Sequence, residues 1–190
     1  KQVNSDSYDG RNLLYLIENG IASLNLHTNL DCCPGGVNDV LASRLGLADI
    51  EILNPVGTDA KGRPYGLVRM GEVAEQPLAA FAAFVKRVLS CPGVRFSDAG
   101  KPVRKVAVGG GSCGSEIGDV IAAGCDTFVT ADLKYNHFEE AKYCGLNLID
   151  AGHFETENPV CDVLEGILRE AFPEIPVFRA QAHRDETQFL

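Results

Sequence analysis

Val103-Arg104-Lys105-Val106-Ala107-Val108 runs directly into Gly109-Gly110-Gly111-Ser112-Cys113-Gly114, and this junction decides the fold. A short β-branched run ending in a glycine cluster reads as a strand that turns sharply, and residues 115–123 then read as a short helix. The alternation continues outward. Thr127-Phe128-Val129 reads as a strand, 138–143 as a helix and Leu146-Asn147-Leu148-Ile149 as a strand; 160–172 follows as a helix and Val177-Phe178 as a last strand. That β-α-β-α-β-α order predicts an α/β architecture with a mainly parallel sheet in the second half. The first half is more mixed. Residues 21–26, 50–53 and 65–73 read as strands, 37–45 as a helix stopped by Gly46, and Pro77 opens a helix over 78–89. Val94-Arg95-Phe96 precedes the turn Asp98-Ala99-Gly100-Lys101-Pro102. Two small α/β lobes, 1–98 and 99–190, are expected to meet there around a shared cleft.

The chain has 190 residues and a net charge of −9, long enough to bury a sizeable core. Apolar residues make up 45% and charged residues 23%, a globular rather than a disordered balance. No apolar stretch approaches the roughly 18 residues of a membrane span, and Lys1-Gln2-Val3-Asn4-Ser5-Asp6 does not read as a signal peptide. A cytoplasmic location is therefore expected. The acidic balance, with no Lys/Arg stripe, argues against general nucleic-acid binding. Seven cysteines without a paired CxxC spacing read as reduced core or loop thiols.

The glycine cluster supports three readings. Gly109, Gly111 and Gly114 match G-x-G-x-x-G between a strand and a helix, with Asp132 at the end of the next strand, where a dinucleotide site would place its ribose-binding acid. Gly110-Gly111-Ser112-Cys113-Gly114 also spells the G-x-S-x-G nucleophile elbow, with Asp150 and His153 or His183 as acid and base. The third reading is structural: a tight turn that packs its helix against the sheet.

Carboxylates and histidines mark a different chemistry. His153 and Glu157, four residues apart after a buried-looking strand, share one face if that turn is helical. An imidazole with carboxylates suits zinc, iron or manganese. If His27-Thr28-Asn29-Leu30-Asp31 stays extended, His27 and Asp31 lie about 13 Å apart, too far to share an ion. Asp31 is then the better ligand, and His27 orients a ligand or substrate. Thr130-Ala131-Asp132-Leu133-Lys134-Tyr135-Asn136-His137 ends a strand where α/β sheets bind ligands, or is a capped turn with Asp132 at the helix N-cap.

Four stretches occur in order: His27-Thr28-Asn29-Leu30-Asp31 with Gly35-Gly36-Val37-Asn38-Asp39; the 109–114 cluster; Thr130-Ala131-Asp132-Leu133-Lys134-Tyr135; and Asp150-Ala151-Gly152-His153 through Thr156-Glu157. Together they resemble the NGG-interacting-factor-three-like family, whose members are often labelled GTP cyclohydrolase 1 type 2 homologue. The resemblance implies an α/β subunit with two divalent ions, zinc, iron or manganese, in a homo-oligomeric ring for which a hexamer is the candidate size. It places metal ligands at Asp31, His153 and Glu157, with metal-activated water as nucleophile and His27, Asp132 and Lys134 in support. A metal-dependent hydrolase of a small phosphorylated or nucleotide-like substrate is the leading expectation, and a non-enzymatic metal-handling or regulatory protein is the alternative. The family pattern also includes a His-His-Pro motif upstream, and this sequence has no His-His pair. The first lobe is therefore expected to be N-terminally incomplete, and the chain as written is expected to hold its ions weakly or not at all. Ala131 is a smaller departure, standing where the family often has glycine.

Overall fold

A computed structural model describes residues 3–190. Helix α1 (Tyr8–Glu18) is capped by Ser7, whose hydroxyl accepts the Gly10 N–H. A coil leads to α2 (Thr28–Cys32) and α3 (Val37–Arg44). Strand β1 (Ala48–Leu53), the small hairpin of β2 (Gly57–Thr58) and β3 (Pro64–Tyr65), β4 (Val68–Gln76) and α4 (Leu78–Leu89) follow. The chain continues through β5 (Arg95–Ser97), β6 (Val103–Val108), a 3-10 turn at Gly114–Glu116 and α5 (Ile117–Ala122). It ends with β7 (Thr127–Thr130), α6 (Tyr135–Tyr143), β8 (Asn147–Asp150), α7 (His153–Glu157) and α8 (Val160–Ala171).

Six strands form one sheet in the order β1-β4-β6-β7-β8-β5. β6, β7 and β8 pair in parallel, and the β1–β4, β4–β6 and β5–β8 pairs are antiparallel. The expected α/β class, mixed in the first half and parallel in the second, is present. Two ladders, β4–β6 and β5–β8, cross the 98/99 position, so both halves of the chain share this sheet. The central strands are buried on both faces, which explains their near-continuous apolar runs. Val106, Val108, Val129 and Ile149 pack with Leu41, Phe81 and Val85 under α3 and α4. Their strand neighbours Ala107, Phe128 and Leu148 face the other way, onto Ile117, Val120 and Ala141 of α5 and α6. Parallel strands with helices on both sides bring their carboxyl ends to one edge, and the 109–114 loop, the Asp132 turn and α7 all start there.

Several local expectations change. Residues 21–26 are coil and not a strand, and Leu24 is 86% exposed. A β-prone run without a paired neighbour among the described residues has nothing to complete its ladder. Val177-Phe178 is coil for the same reason. The run at 65–73 breaks at Gly66, whose N–H turns aside to the Cys32 carbonyl, so β3 and β4 are separate. Lys134, not Asp132, is the N-cap of α6, and Asp132 adopts a left-handed φ of 54°. Among the described residues no helix is long and apolar enough to cross a membrane.

All seven cysteines are free. Burial pushes the Cys91 and Cys113 thiols up to about 12, leaving roughly one thiolate in ten thousand at pH 8. Alkylation of the native protein at that pH is expected to label exposed Cys144 within minutes and to spare Cys91 and Cys113 until denaturant is added. Peptide mass spectrometry checks this, and native labelling of either buried thiol would contradict the packing described.

Candidate metal centre

Two short helices carry the candidate ligands. In α2 the Asn29 side chain accepts the His27 N–H, and the His27 carbonyl accepts the Leu30 and Asp31 N–H groups at 2.7 and 3.3 Å. That turn replaces the extended segment expected at 27–31. It brings His27 and Asp31 onto the wall of one cavity of about 530 Å³. In α7, His153 and Glu157 are one turn apart, with Nε2 3.0 Å from Glu157 Oε1. Nδ1 of His153 lies 2.7 Å from Asp132 Oδ2. The strained Asp132 backbone therefore aims a carboxylate at the imidazole from the far side. Asp31, His153, Glu157 and His27 all line the same cavity, whose remaining wall includes Leu24, Leu30, Val37 and Leu164.

The surrounding polar residues hold these helices in place. Asn38 is completely buried; its Nδ2 donates to the Asp31 and Leu67 carbonyls at 3.2 and 2.6 Å, and its Oδ1 accepts the Gly110 N–H at 2.6 Å. One side chain thus ties α2, the start of β4 and the glycine loop together. Arg69, only 1% exposed, pairs with Asp39 and donates to the Gly66 and Cys32 carbonyls. Thr156 accepts the Gly111 N–H at 2.9 Å and donates its hydroxyl back to the backbone of α7. Neither periodicity nor spacing in the sequence points to Asn38, Arg69 or Thr156. The motif Gly35-Gly36-Val37-Asn38-Asp39 marks the right segment, but residue type alone does not say that its amide is buried.

The glycine loop acquires its function from what faces it. Gly111 has a φ of 65°, and a Cβ there would lie 2.3 Å from Glu157 Oε1 and 3.1 Å from His153 Nε2. Its missing side chain is the space in which the two donors meet. The N–H groups of Gly110, Gly111 and Cys113 are taken by Asn38, Thr156 and Thr130, so these three are not free to bind a pyrophosphate. A serine triad fares no better. Asp150 accepts Arg95, the Leu133 N–H and the Gly152 N–H, while His153 is held by Asp132 and Glu157. Lys134 stands apart: it is exposed, its N–H faces His137 Nδ1, and it does not line the cavity.

Burial raises the pKa of Asp31, against the opposing pull of His27 and His153. Burial likewise raises Glu157; His153 pulls it down and Asp31 pushes it up. For His153, burial opposes the charged form, but the Asp132 and Glu157 carboxylates outweigh it and the pKa is raised. These carboxylates crowd one another, and a cation between them relieves that cost. Among the described residues no three His, Cys, Asp or Glu side chains are already closed around a common point. The donor types and the space at Gly111 nonetheless fit a divalent ion.

A family model described as Duf34/NIF3 (NGG1p interacting factor 3) matches residues 1–186. The chain is 40% identical over 167 residues to a GTP cyclohydrolase 1 type 2 homolog of Streptomyces coelicolor, covering 85% of this chain and 58% of the relative. It is 28% identical over 191 residues to the Clostridium perfringens protein of the same description, covering 99% and 72%. Among solved structures it superposes on Staphylococcus aureus hypothetical protein SA1388 with a TM-score of 0.89 and 29% identity, covering 100% of this chain and 75% of that one. The chain thus spans less than two thirds of the length of its Streptomyces relative.

Proposed function

Because the chain belongs to the Duf34/NIF3 (NGG1p interacting factor 3) family, we propose that it is a divalent-metal protein whose Asp31, His153 and Glu157 hold zinc, iron or manganese. In this reading it contributes to a two-metal hydrolase of a small phosphorylated or nucleotide-like substrate, assembled as a cytoplasmic homo-oligomeric ring. One observation carries it: His153 is fixed between the Asp132 and Glu157 carboxylates while Asp31 faces the same cavity.

Each residue has a physical task in this reading. With an ion bound, Asp132 would accept the Nδ1–H of His153, the tautomer that leaves Nε2 free as a ligand. Glu157 and Asp31 supply anionic oxygens, and His27 stands where it can orient a bound molecule. Leu30, Val37 and Leu164 keep the wall behind them apolar, which strengthens every charge interaction inside. A bound divalent ion would supply Lewis acidity there, and also the positive charge a phosphate needs, since among the described residues no Lys or Arg lines the cavity.

That lack of a basic side chain favours a second reading, a metal-handling or regulatory role without turnover. Assays on phosphoesters and nucleoside triphosphates with manganese, zinc and iron separate the two. Turnover that disappears in Asp31→Ala supports the hydrolase. Tight, transferable metal without turnover supports the handling role. Divalent-ion binding that is unchanged in Asp31→Ala, His153→Ala and Glu157→Ala refutes both. Asp132→Asn is expected to weaken metal binding by about 10–100-fold, through loss of the imidazole's orienting partner, while leaving the melting temperature nearly unchanged. Calorimetric titration measures it, and unaltered affinity would remove Asp132 from the site.

A further inference from the structure

Beyond α8 the chain turns back along its own helices. Arg179 reaches Asp162 and Glu165 of α8 at 2.7 and 3.1 Å, and Arg169 holds the Val177 carbonyl at 3.3 Å. A turn closed by the His183 N–H on the Ala180 carbonyl then lays the His183 ring 5.1 Å from that of Phe154. At that point His183 Nε2 stands 2.8 Å from Asn158 Oδ1 and 3.9 Å from the half-buried Cys161 sulfur. Cys161, Asn158 and His183 line the same cavity as Asp31 and Glu157.

We propose that Cys161 and His183, with the Asn158 side-chain oxygen, form a separate site for a thiophilic divalent ion such as zinc, which fastens residues 172–190 to α8. Two groups, the Cys161 thiol and the Asn158 side-chain oxygen, converge on His183 Nε2, which has one position for hydrogen. If Nε2 is protonated it serves Asn158, and the thiol has no strong partner. If the proton sits on Nδ1 it serves the thiol, and two lone-pair-bearing atoms, Nε2 and Oδ1, face each other. A cation satisfies all three groups together. Zinc bonds of about 2.3 Å to sulfur and about 2.0–2.1 Å to nitrogen and oxygen at tetrahedral angles separate sulfur from nitrogen by about 3.6 Å and nitrogen from oxygen by about 3.4 Å. Binding therefore draws Cys161 in from 3.9 Å and moves the Asn158 oxygen out from 2.8 Å. A sulfur–nitrogen–oxygen set is softer than the all-oxygen-and-nitrogen set of Asp31, His153 and Glu157, so the two sites select ions differently. On binding, Cys161 releases its thiol proton to solvent and bonds as thiolate, His183 bonds as neutral imidazole, and no oxidant or reductant is required. The site does not depend on the other centre holding metal.

Cobalt(II) titration of the chelator-treated, reduced chain tests this. A thiolate ligand produces a near-ultraviolet charge-transfer band that oxygen and nitrogen ligands do not. The band is expected in the wild type and in an Asp31→Asn, Glu157→Gln double variant, and to be absent in Cys161→Ser. In His183→Gln, cobalt affinity is expected to fall by at least the roughly 10–100-fold that outer partners alone are worth. Zinc is also expected to protect residues 172–190 from protease in the wild type, but not in either single variant. A wild type without the band, a band that survives in Cys161→Ser, or cleavage unaffected by zinc would overturn the proposal and leave an ordinary thiol–imidazole contact. If Cys161→Ser does not fold, His183→Gln decides alone by affinity and protection. Loss of activity in Asp31→Ala with the band intact would separate the fate of this site from that of the other.

Discussion

Asn38→Ala is expected to lower the melting temperature by about 10 °C and to weaken metal binding with it. The amide is completely buried and serves three backbone groups: the Asp31 and Leu67 carbonyls and the Gly110 N–H. Alanine leaves all three without that partner, where a buried unpaired group costs about 1–3 kcal/mol. Allowing for partial relaxation, the loss is about 3–5 kcal/mol, and a chain of this size moves roughly 2–4 °C per kcal/mol. The three groups belong to the segments that carry Asp31, open β4 and face Glu157, so the damage is centred on the site. Asn38→Asp separates size from hydrogen bonding. It keeps the volume and the Gly110 bond but turns both donated bonds into oxygen–oxygen contacts, and it should be destabilised comparably. Calorimetry of both variants, with hydrogen exchange at the Gly110 amide, measures the effect. A shift of only one or two degrees in Asn38→Ala would mean that these bonds are replaceable by solvent, and that the bridge does not position Asp31.

The fold was legible where the pattern is locally sufficient. Pro77 followed by an apolar stripe places the helix at 78–89 as found, and β6, β7 and β8 are visible as apolar runs because both their faces are buried. Residues 21–26 carry the same β-prone composition, yet a strand is a relation between two segments and no described segment pairs with this one. The candidate site shows the same division. His153 and Glu157 are readable from their spacing alone, since one helical turn makes them neighbours. His27 and Asp31 were separated by an assumed extended backbone, which the Asn29 side chain bends into a turn. Asn38 and Thr156 leave no periodic signal at all. Their value comes from contacts across 72 and 45 positions of sequence, to the amides of Gly110 and Gly111.

The glycine cluster was ambiguous because a glycine pattern records backbone freedom without recording what occupies the space it opens, and this gives the second large prediction. Gly111→Ala is expected to weaken divalent-metal binding by about a hundredfold or more while leaving the chain folded. Two costs act there. The φ of 65° costs an alanine about 1–2 kcal/mol, and its Cβ would sit 2.3 Å from Glu157 Oε1 and 3.1 Å from His153 Nε2. The first cost is paid in stability alone; the second forces the two donors apart or displaces the loop that backs them. Gly124→Ala separates these effects. Gly124 has a φ of 74° and nothing within 4 Å of a built Cβ, so it carries the backbone cost without the intrusion. Gly124→Ala should lose a few degrees of melting temperature and keep its metal affinity, whereas Gly111→Ala should lose somewhat more melting temperature and the metal affinity with it. Equal loss of affinity in the two would assign the effect to general destabilisation. Unchanged affinity in Gly111→Ala would show that His153 and Glu157 do not hold the ion together, and the candidate centre would have to be sought elsewhere in the cavity.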